Sequence, residues 1–391
     1  MIFRFLTSGE SHGKGLNVIV EGMPSGVFVD ENFINSELKR RQKGYGRGGR
    51  MKIESDCAEI LSGVRFSETL GSPICLFIKN KDFENWETVM SSSEVEQTEE
   101  NLNKIREKSI SNVRPGHADF AGALKYNRED VRDILERSSA RETAARVAAG
   151  ALAKSLLKEF NIDGVSFVTQ IGNVKVETNL NPFENRQNIE NSEFHISDSS
   201  YEDALKKEID SAQEEGDTLG GAFEIRFKNL PVGLGSHVQW DRRLDGQIAA
   251  AVMSVPAVKS VEIGIGKDAA STKGSQTHDE IFVKDGKFKR ETNNAGGIEG
   301  GMTNGEELVV RASMKAIPTM KKPLRSVSLN TKEEISAHFE RSDTCAVCAC
   351  AVVAEAMVSI ILANAMCEKF THDNLSDMKD CYQRYLGRIN Q

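Results

Sequence analysis

Proline is scarce in this 391-residue chain, at eight residues, and aromatic residues make up only 6%. No stretch is rich enough in Pro, Ser or any single residue type to serve as a linker or low-complexity tail, which argues for one continuous body. Long hydrophobic runs are missing too. The longest, Ala346 to Ala354, stops at Glu355, well short of the roughly 20 residues that a bilayer requires. The first eight residues run into polar and glycine positions too quickly for a secretory signal. A soluble, cytoplasmic protein is expected. Excess positive charge is also absent: 50 Lys and Arg against 58 Asp and Glu leave a formal charge of -8. That balance disfavours a chain whose main partner is nucleic acid. Seven cysteines, odd in number and unevenly spread, do not form a secreted disulfide framework. Cys345-x-x-Cys348 lacks a second pair or neighbouring histidines to complete a zinc site, so it reads as packed helix and no metal is expected.

What the chain has is glycine, 32 residues of it, among alternating strand and helix patterns. Strands are expected on both sides of the turn at 9–13, at 59–62, 74–78, 164–176, 219–227 and 258–265, and helices over 30–41, 201–215 and 244–255. A capping box, Ser139-Ala140-Arg141-Glu142, opens a small-residue helix that runs to 160. Asp343 is expected to cap an Ala-rich helix over 344–364, followed by a polar helix from 368. Residues 84–112 and 180–202 are polar and read as surface excursions. The whole, 1–391, reads as a single α/β domain.

Two of the seven histidines sit in tight glycine-bearing motifs, Gly9-Glu10-Ser11-His12-Gly13 and Arg114-Pro115-Gly116-His117-Ala118-Asp119. Histidine titrates near neutrality and glycine permits close backbone approach, so His12 and His117 are candidate acid–base groups. The first motif also satisfies the G-x-S-x-G pattern of a serine nucleophile. Its place after only eight residues is wrong for a turn that belongs at the end of a central strand. A basic loop, 39–50, interleaves Arg41, Arg47 and Arg50 with glycines, which suits small anions better than stacked bases. RNA binding through that loop is the alternative. Arginines and hydroxyls coincide with a helix start at Arg137-Ser138-Ser139-Ala140-Arg141. Two cations at a positive helix end need a counter-charge, and a bound phosphate would supply it.

In this order the segments GESHG, RRQKGYGRGGRMKIE, RPGHAD, ERSSARETAARVAAG, GDTLGG, GLGSHVQWDRRLD, KGSQTHDE, NNAGGIEGG and RSDTCAV closely resemble the chorismate synthase family. The resemblance implies an α+β sandwich with central helices packed between antiparallel sheets, and usually a homotetramer. It implies conversion of 5-enolpyruvylshikimate 3-phosphate to chorismate by a 1,4-anti elimination of phosphate that needs reduced FMN. By motif match, His12 would assist phosphate departure, His117 would protonate or hydrogen-bond the reduced flavin, and Asp343 would act near the flavin's reactive nitrogen. Arg41, Arg47, Arg50, Arg114, Arg141 and Arg341 would hold substrate anions, although some members assign the equivalents of Arg41 and Arg47 to NADPH. Arg137, Ser138, Ser139, Pro256, Ala257, Gly300, Lys315, Ala316, Ile317, Pro318, Thr319 and Arg341 match flavin-contacting positions. Ala316 replaces a common proline, which leaves that loop less rigid. Glu136 stands where some members have glycine, so the local turn is expected to differ. The chain is expected to be monofunctional, with an external flavin reductase as partner.

Overall fold

Alternation of apolar and polar residues builds two antiparallel sheets. In the first, Gly15–Glu21 pairs on one side with Arg4–Gly9 and on the other with Ile74–Lys79, and Ala58–Ser62 forms the far edge. Leu16, Val18 and Val20 are buried together with Ile74, Leu76 and Ile78, the period-2 pattern of a sheet with one covered face. The second sheet runs in spatial order Val258–Ile263, Leu308–Met314, Gly221–Lys228, Asp163–Ile171 and Val174–Lys175, every neighbour antiparallel. The computed structural model describes residues 2–48, 56–177, 179–339 and 343–389.

Two layers of helix fill the space between the sheets, as the sandwich expectation requires. Helices Glu31–Gln42 and Thr143–Lys158 lie against the first sheet, and Leu244–Met253 and Val347–Lys369 against the second. Asp30 caps the first of these by accepting a hydrogen bond from the Asn32 N–H at 2.9 Å. Gly150 sits where Thr143–Lys158 crosses Val347–Lys369. A Cβ there would meet the Ala356 Cβ at 2.4 Å and its Cα at 2.7 Å, so glycine is what lets the two backbones approach. One hydrophobic cluster runs through both sheets and the helices between them.

Three local expectations are corrected. The helix expected from 139 is preceded by Arg132–Ser138 and a 3-10 turn, Ala140–Glu142, and starts at Thr143. Ser139 caps the turn, but the Glu142 carboxylate pairs with Arg146 at 2.8 Å instead of reaching back, so only half the capping box forms. The late helix starts at Val347 without a side-chain cap, because the Asp343 carboxylate is engaged by the basic loop. That helix runs 23 residues and is long and apolar enough to cross a membrane by length and composition, unlike the shorter run expected; nearly all of that stretch is buried inside the protein.

Glu355 lies within this helix and is buried. It accepts from Arg40 Nη2 at 3.1 Å, from Lys154 Nζ, and from Ser166 Oγ at 2.6 Å. Burial alone would push its carboxyl up, yet the Arg40 and Lys154 charges hold it well below the usual carboxylate range. The cluster ties the last turn of Glu31–Gln42 to both central helices, immediately before Arg41.

Candidate active site

The turn bearing His12 joins two antiparallel strands, Arg4–Gly9 and Gly15–Glu21, so it is not the strand-to-helix elbow of a serine hydrolase. Gly9 takes φ 102° there. Helix Arg132–Ser138 pins this turn. Ser11 N–H donates to the Glu136 carbonyl at 3.0 Å, and His12 N–H donates to Glu136 Oε2 at 2.8 Å. His12 Nδ1 lies 2.8 Å from Glu136 Oε1, and Arg132 Nη1 donates to that same oxygen at 3.0 Å. Burial would raise the Glu136 carboxyl, but hydrogen bonds from His12 and Arg132 outweigh it and leave it lowered. The His12 ring stacks on Trp86, with centroids 3.9 Å apart. Trp86 belongs to the excursion at 84–112, which also carries helix Glu99–Lys108 and packs back through Ile110.

His117 repeats the arrangement. Its Nδ1 lies 2.6 Å from Asp119 Oδ1, and Arg114 Nε donates to Asp119 Oδ2 at 2.7 Å. Burial opposes ionisation of Asp119, yet bonds from His117 and Arg114 bring its pKa down to about 2. Gly116 adopts φ 77° at the tight turn, and its carbonyl accepts from Lys315 Nζ.

The arginines converge from separate elements. Arg41, in the last turn of Glu31–Gln42, donates to Thr143 Oγ1 and to the Ala140 carbonyl, both at 2.9 Å, and pairs with Asp56 at 3.4 Å. Arg141 bonds Asn80 Oδ1 at 2.8 Å and also pairs with Asp56. Asp56, 85 residues away in sequence, gives Arg141 a counter-charge at this helix start. Arg47 pairs with Asp343 at 3.2 Å, and Gly48 N–H donates to Asp343 Oδ1 at 2.7 Å. Arg137 turns toward the carbonyls of Gly9 and Thr7 at 3.1 and 3.0 Å.

One cavity of about 450 Å³ gathers most of the expected residues: His12, His117 and Asp343 with Arg41, Arg47, Arg114 and Arg141. Ser138, Ser139, Pro256, Ala257, Lys315, Ile317, Pro318 and Thr319 also line it. Arg137, Ala316 and Gly300 do not. Arg50 and Arg341 lie outside the described residues. Leu135, Val255, Met314, Ala349 and Val353 supply an apolar wall. A concave site with apolar walls and convergent cations suits small planar and anionic molecules. Cys345 and Cys348 are buried in the core, and burial pushes both thiols up. Glu136, Trp86 and Asp56 were not among the expected residues.

A family model described as chorismate synthase matches residues 3–367. The chain belongs to the chorismate synthase family. It is 53% identical over 397 residues to the chorismate synthase of Geobacter sulfurreducens, covering 99% of each chain. It is 52% identical over 396 residues to that of Aquifex aeolicus, covering 99% of this chain and 98% of that one. A crystal structure of chorismate synthase matches it with a TM-score of 0.79 at 42% identity, covering 100% of this chain and 99% of that chain. Family membership makes the protein an enzyme, a lyase, and implies a flavin cofactor. The RNA-binding alternative for loop 39–50 finds no support in these relatives. The cavity fits a flavin: the apolar wall suits a planar ring, and Ser138, Ser139, Lys315 and Thr319 suit a phosphorylated tail.

Proposed function

We propose that this chain converts 5-enolpyruvylshikimate 3-phosphate to chorismate and phosphate by a 1,4-anti elimination that requires reduced FMN. The observation that carries this reading is the meeting of four arginines, two carboxylate-held histidines and Asp343 in one partly apolar cavity. Arg41, Arg47, Arg114 and Arg141 bind the substrate's carboxylates and phosphate, and motif match adds Arg50 and Arg341. Planar guanidinium forks suit those groups and exclude uncharged analogues. His12, its Nδ1–H committed to Glu136, offers Nε2–H to the departing phosphate when the ring carries its second proton, and positioned cations stabilise the growing charge. His117, held in the same way by Asp119, offers Nε2 on the cofactor side. Asp343, on the cofactor side, helps the substrate proton leave. Ser138, Ser139, Pro256, Ala257, Lys315, Ile317, Pro318 and Thr319 hold FMN, and motif match alone adds Arg137, Ala316, Gly300 and Arg341. When bound, reduced FMN supplies an electron-rich ring that assists loss of phosphate without net redox change.

The chain is one domain in this reading, cytoplasmic and a homotetramer. Exposed Leu6 and Ile19, cross-strand neighbours on the outer face of the first sheet, with exposed Phe28 and Phe66, support self-association. An external reductase supplies reduced flavin, with NADPH alone as the competing source. The test is anaerobic. Protein with chemically reduced FMN and 5-enolpyruvylshikimate 3-phosphate should release chorismate and phosphate together, and oxidised FMN should give neither. Folded, flavin-binding protein that makes no chorismate would refute the reading, and turnover with NADPH and oxidised FMN would replace the external reductase.

A further inference from the structure

Glu136 binds His12 twice, at the backbone N–H and at Nδ1. A side chain that served only to tie down the turn would need the first contact alone. The second decides which ring nitrogen carries the proton. A carboxylate is an acceptor with no hydrogen to give, so Nδ1 must be the N–H, and Nε2 is the ring nitrogen that Glu136 does not hold. Arg132, one helical turn before Glu136 on Arg132–Ser138, donates to the same carboxylate oxygen and fixes it in turn.

Trp86 closes the remaining freedom. Its ring stacks on His12 at 30° between planes, which restricts rotation of the imidazole about χ2. Trp86 is itself located by Nε1–H donation to Asp82 Oδ2 at 3.0 Å, and by the Arg132 guanidinium and Lys108 ammonium at 4.9 and 4.8 Å from its ring centroid. Arg132 therefore touches both restraints. His117 with Asp119 and Arg114 shows the same order of histidine, carboxylate and arginine on the other motif.

From these contacts we infer that Glu136 is a positioning residue for His12, setting its tautomer and aim while Trp86 walls its face, so that Nε2 is held toward the leaving phosphate. The inference rests on the proposed role of His12 in phosphate departure, but its first test does not. In protein labelled with 15N-histidine, with neither flavin nor substrate, the His12 signals are assigned by their loss in His12→Ala. At alkaline pH the ring should appear as the Nδ1–H tautomer in the parent and lose that preference in Glu136→Gln. An Nε2–H tautomer in the parent overturns the inference whatever the protein catalyses.

The kinetic arm then separates positioning from folding. Glu136→Gln should lower kcat at least about tenfold while changing KM less than about twofold, with FMN affinity retained. Combining it with His12→Ala should cost no more than His12→Ala alone, because two residues acting as one unit are not additive. Glu136→Asp, which keeps the charge, should recover part of the rate and serves as the variant of record if Glu136→Gln does not fold. A kcat within about twofold of the parent in both variants, or additive losses in the double variant, overturns the assignment. If the parent itself makes no chorismate, the proposed function fails, and the tautomer measurement still decides the role of Glu136.

Discussion

Replacing Gly150 with alanine puts a number on how closely the two central helices pack. A Cβ at this position would stand 2.4 Å from the Ala356 Cβ, 2.7 Å from its Cα and 3.1 Å from its carbonyl oxygen, where carbon–carbon contact normally falls at about 3.5–4.0 Å. The helices must separate by about 1 Å, and a gap of that size forfeits a quarter to a half of the dispersion energy of each atom pair it opens. Both helices are backed by a sheet, so separation at the crossing disturbs packing on their far sides as well. Overpacking of this kind costs about 3 kcal/mol, while alanine gains about 1 kcal/mol over glycine in helix propensity. The expected net loss is about 2 kcal/mol, read as a lower denaturant midpoint by far-UV circular dichroism with an unchanged slope. Adding Ala356→Gly removes the shortest contact and should restore part of the loss, leaving the 2.7 Å approach to the Cα. A Gly150→Ala protein as stable as its parent would refute the close crossing.

Glu355→Gln should cost roughly 3 kcal/mol, because it takes one buried carboxylate from Arg40 and Lys154; a loss under about 1 kcal/mol in the same denaturation assay would show that their remaining partners, Glu37 and Glu190, suffice. His195 is buried, and burial followed by the Arg40 charge holds its pKa down to about 4 from an ordinary 6.5. The unfolded chain therefore takes up a proton that the folded one refuses, so this histidine's contribution is intact above about pH 6.5 and is lost as pH falls to about 4, with a limiting slope of about 1.4 kcal/mol per pH unit. His195→Asn, which suits the left-handed φ of 55°, should flatten that limb of the stability profile, and an unchanged slope would remove His195 as its source. His12→Ala and His117→Ala should each keep fold and flavin binding and lose at least about tenfold in turnover, and full activity in either would take that histidine out of the mechanism.

The parts of the site legible in the sequence are those whose chemistry is local. GESHG and RPGHAD carry their glycines, histidines and, in the second, the Asp119 partner within a few residues, so the motif and the geometry coincide. Partners that arrive from elsewhere left no pattern. Glu136 meets His12 across 124 residues of chain, and it read as a departure in a turn, not as an orienting carboxylate. Asp56 answers Arg41 and Arg141 from beyond the basic loop, and nothing beside the helix start announces it. Asp343 looked like a cap because it precedes a helix, and only folding brings Gly48 to its carboxylate. Trp86 did leave one trace. It is one of two tryptophans in the chain and stands in a polar stretch with no apolar periodicity to bury it, a setting in which an aromatic side chain calls for a partner outside its own segment.

Helix Val347–Lys369 follows every strand of both sheets in chain order. A ribosome therefore delivers the two sheets first. The first can be covered at once by helices Glu31–Gln42 and Thr143–Lys158, whereas the second waits with Leu244–Met253 until its principal covering helix emerges. Through that interval its inner residues, Phe223, Ile225 and Val310 among them, face solvent or whatever binds nascent chains. The segment that ends the wait is itself apolar enough to be mistaken for a membrane span. Order of synthesis thus leaves the second sheet to wait longer than the first for its cover.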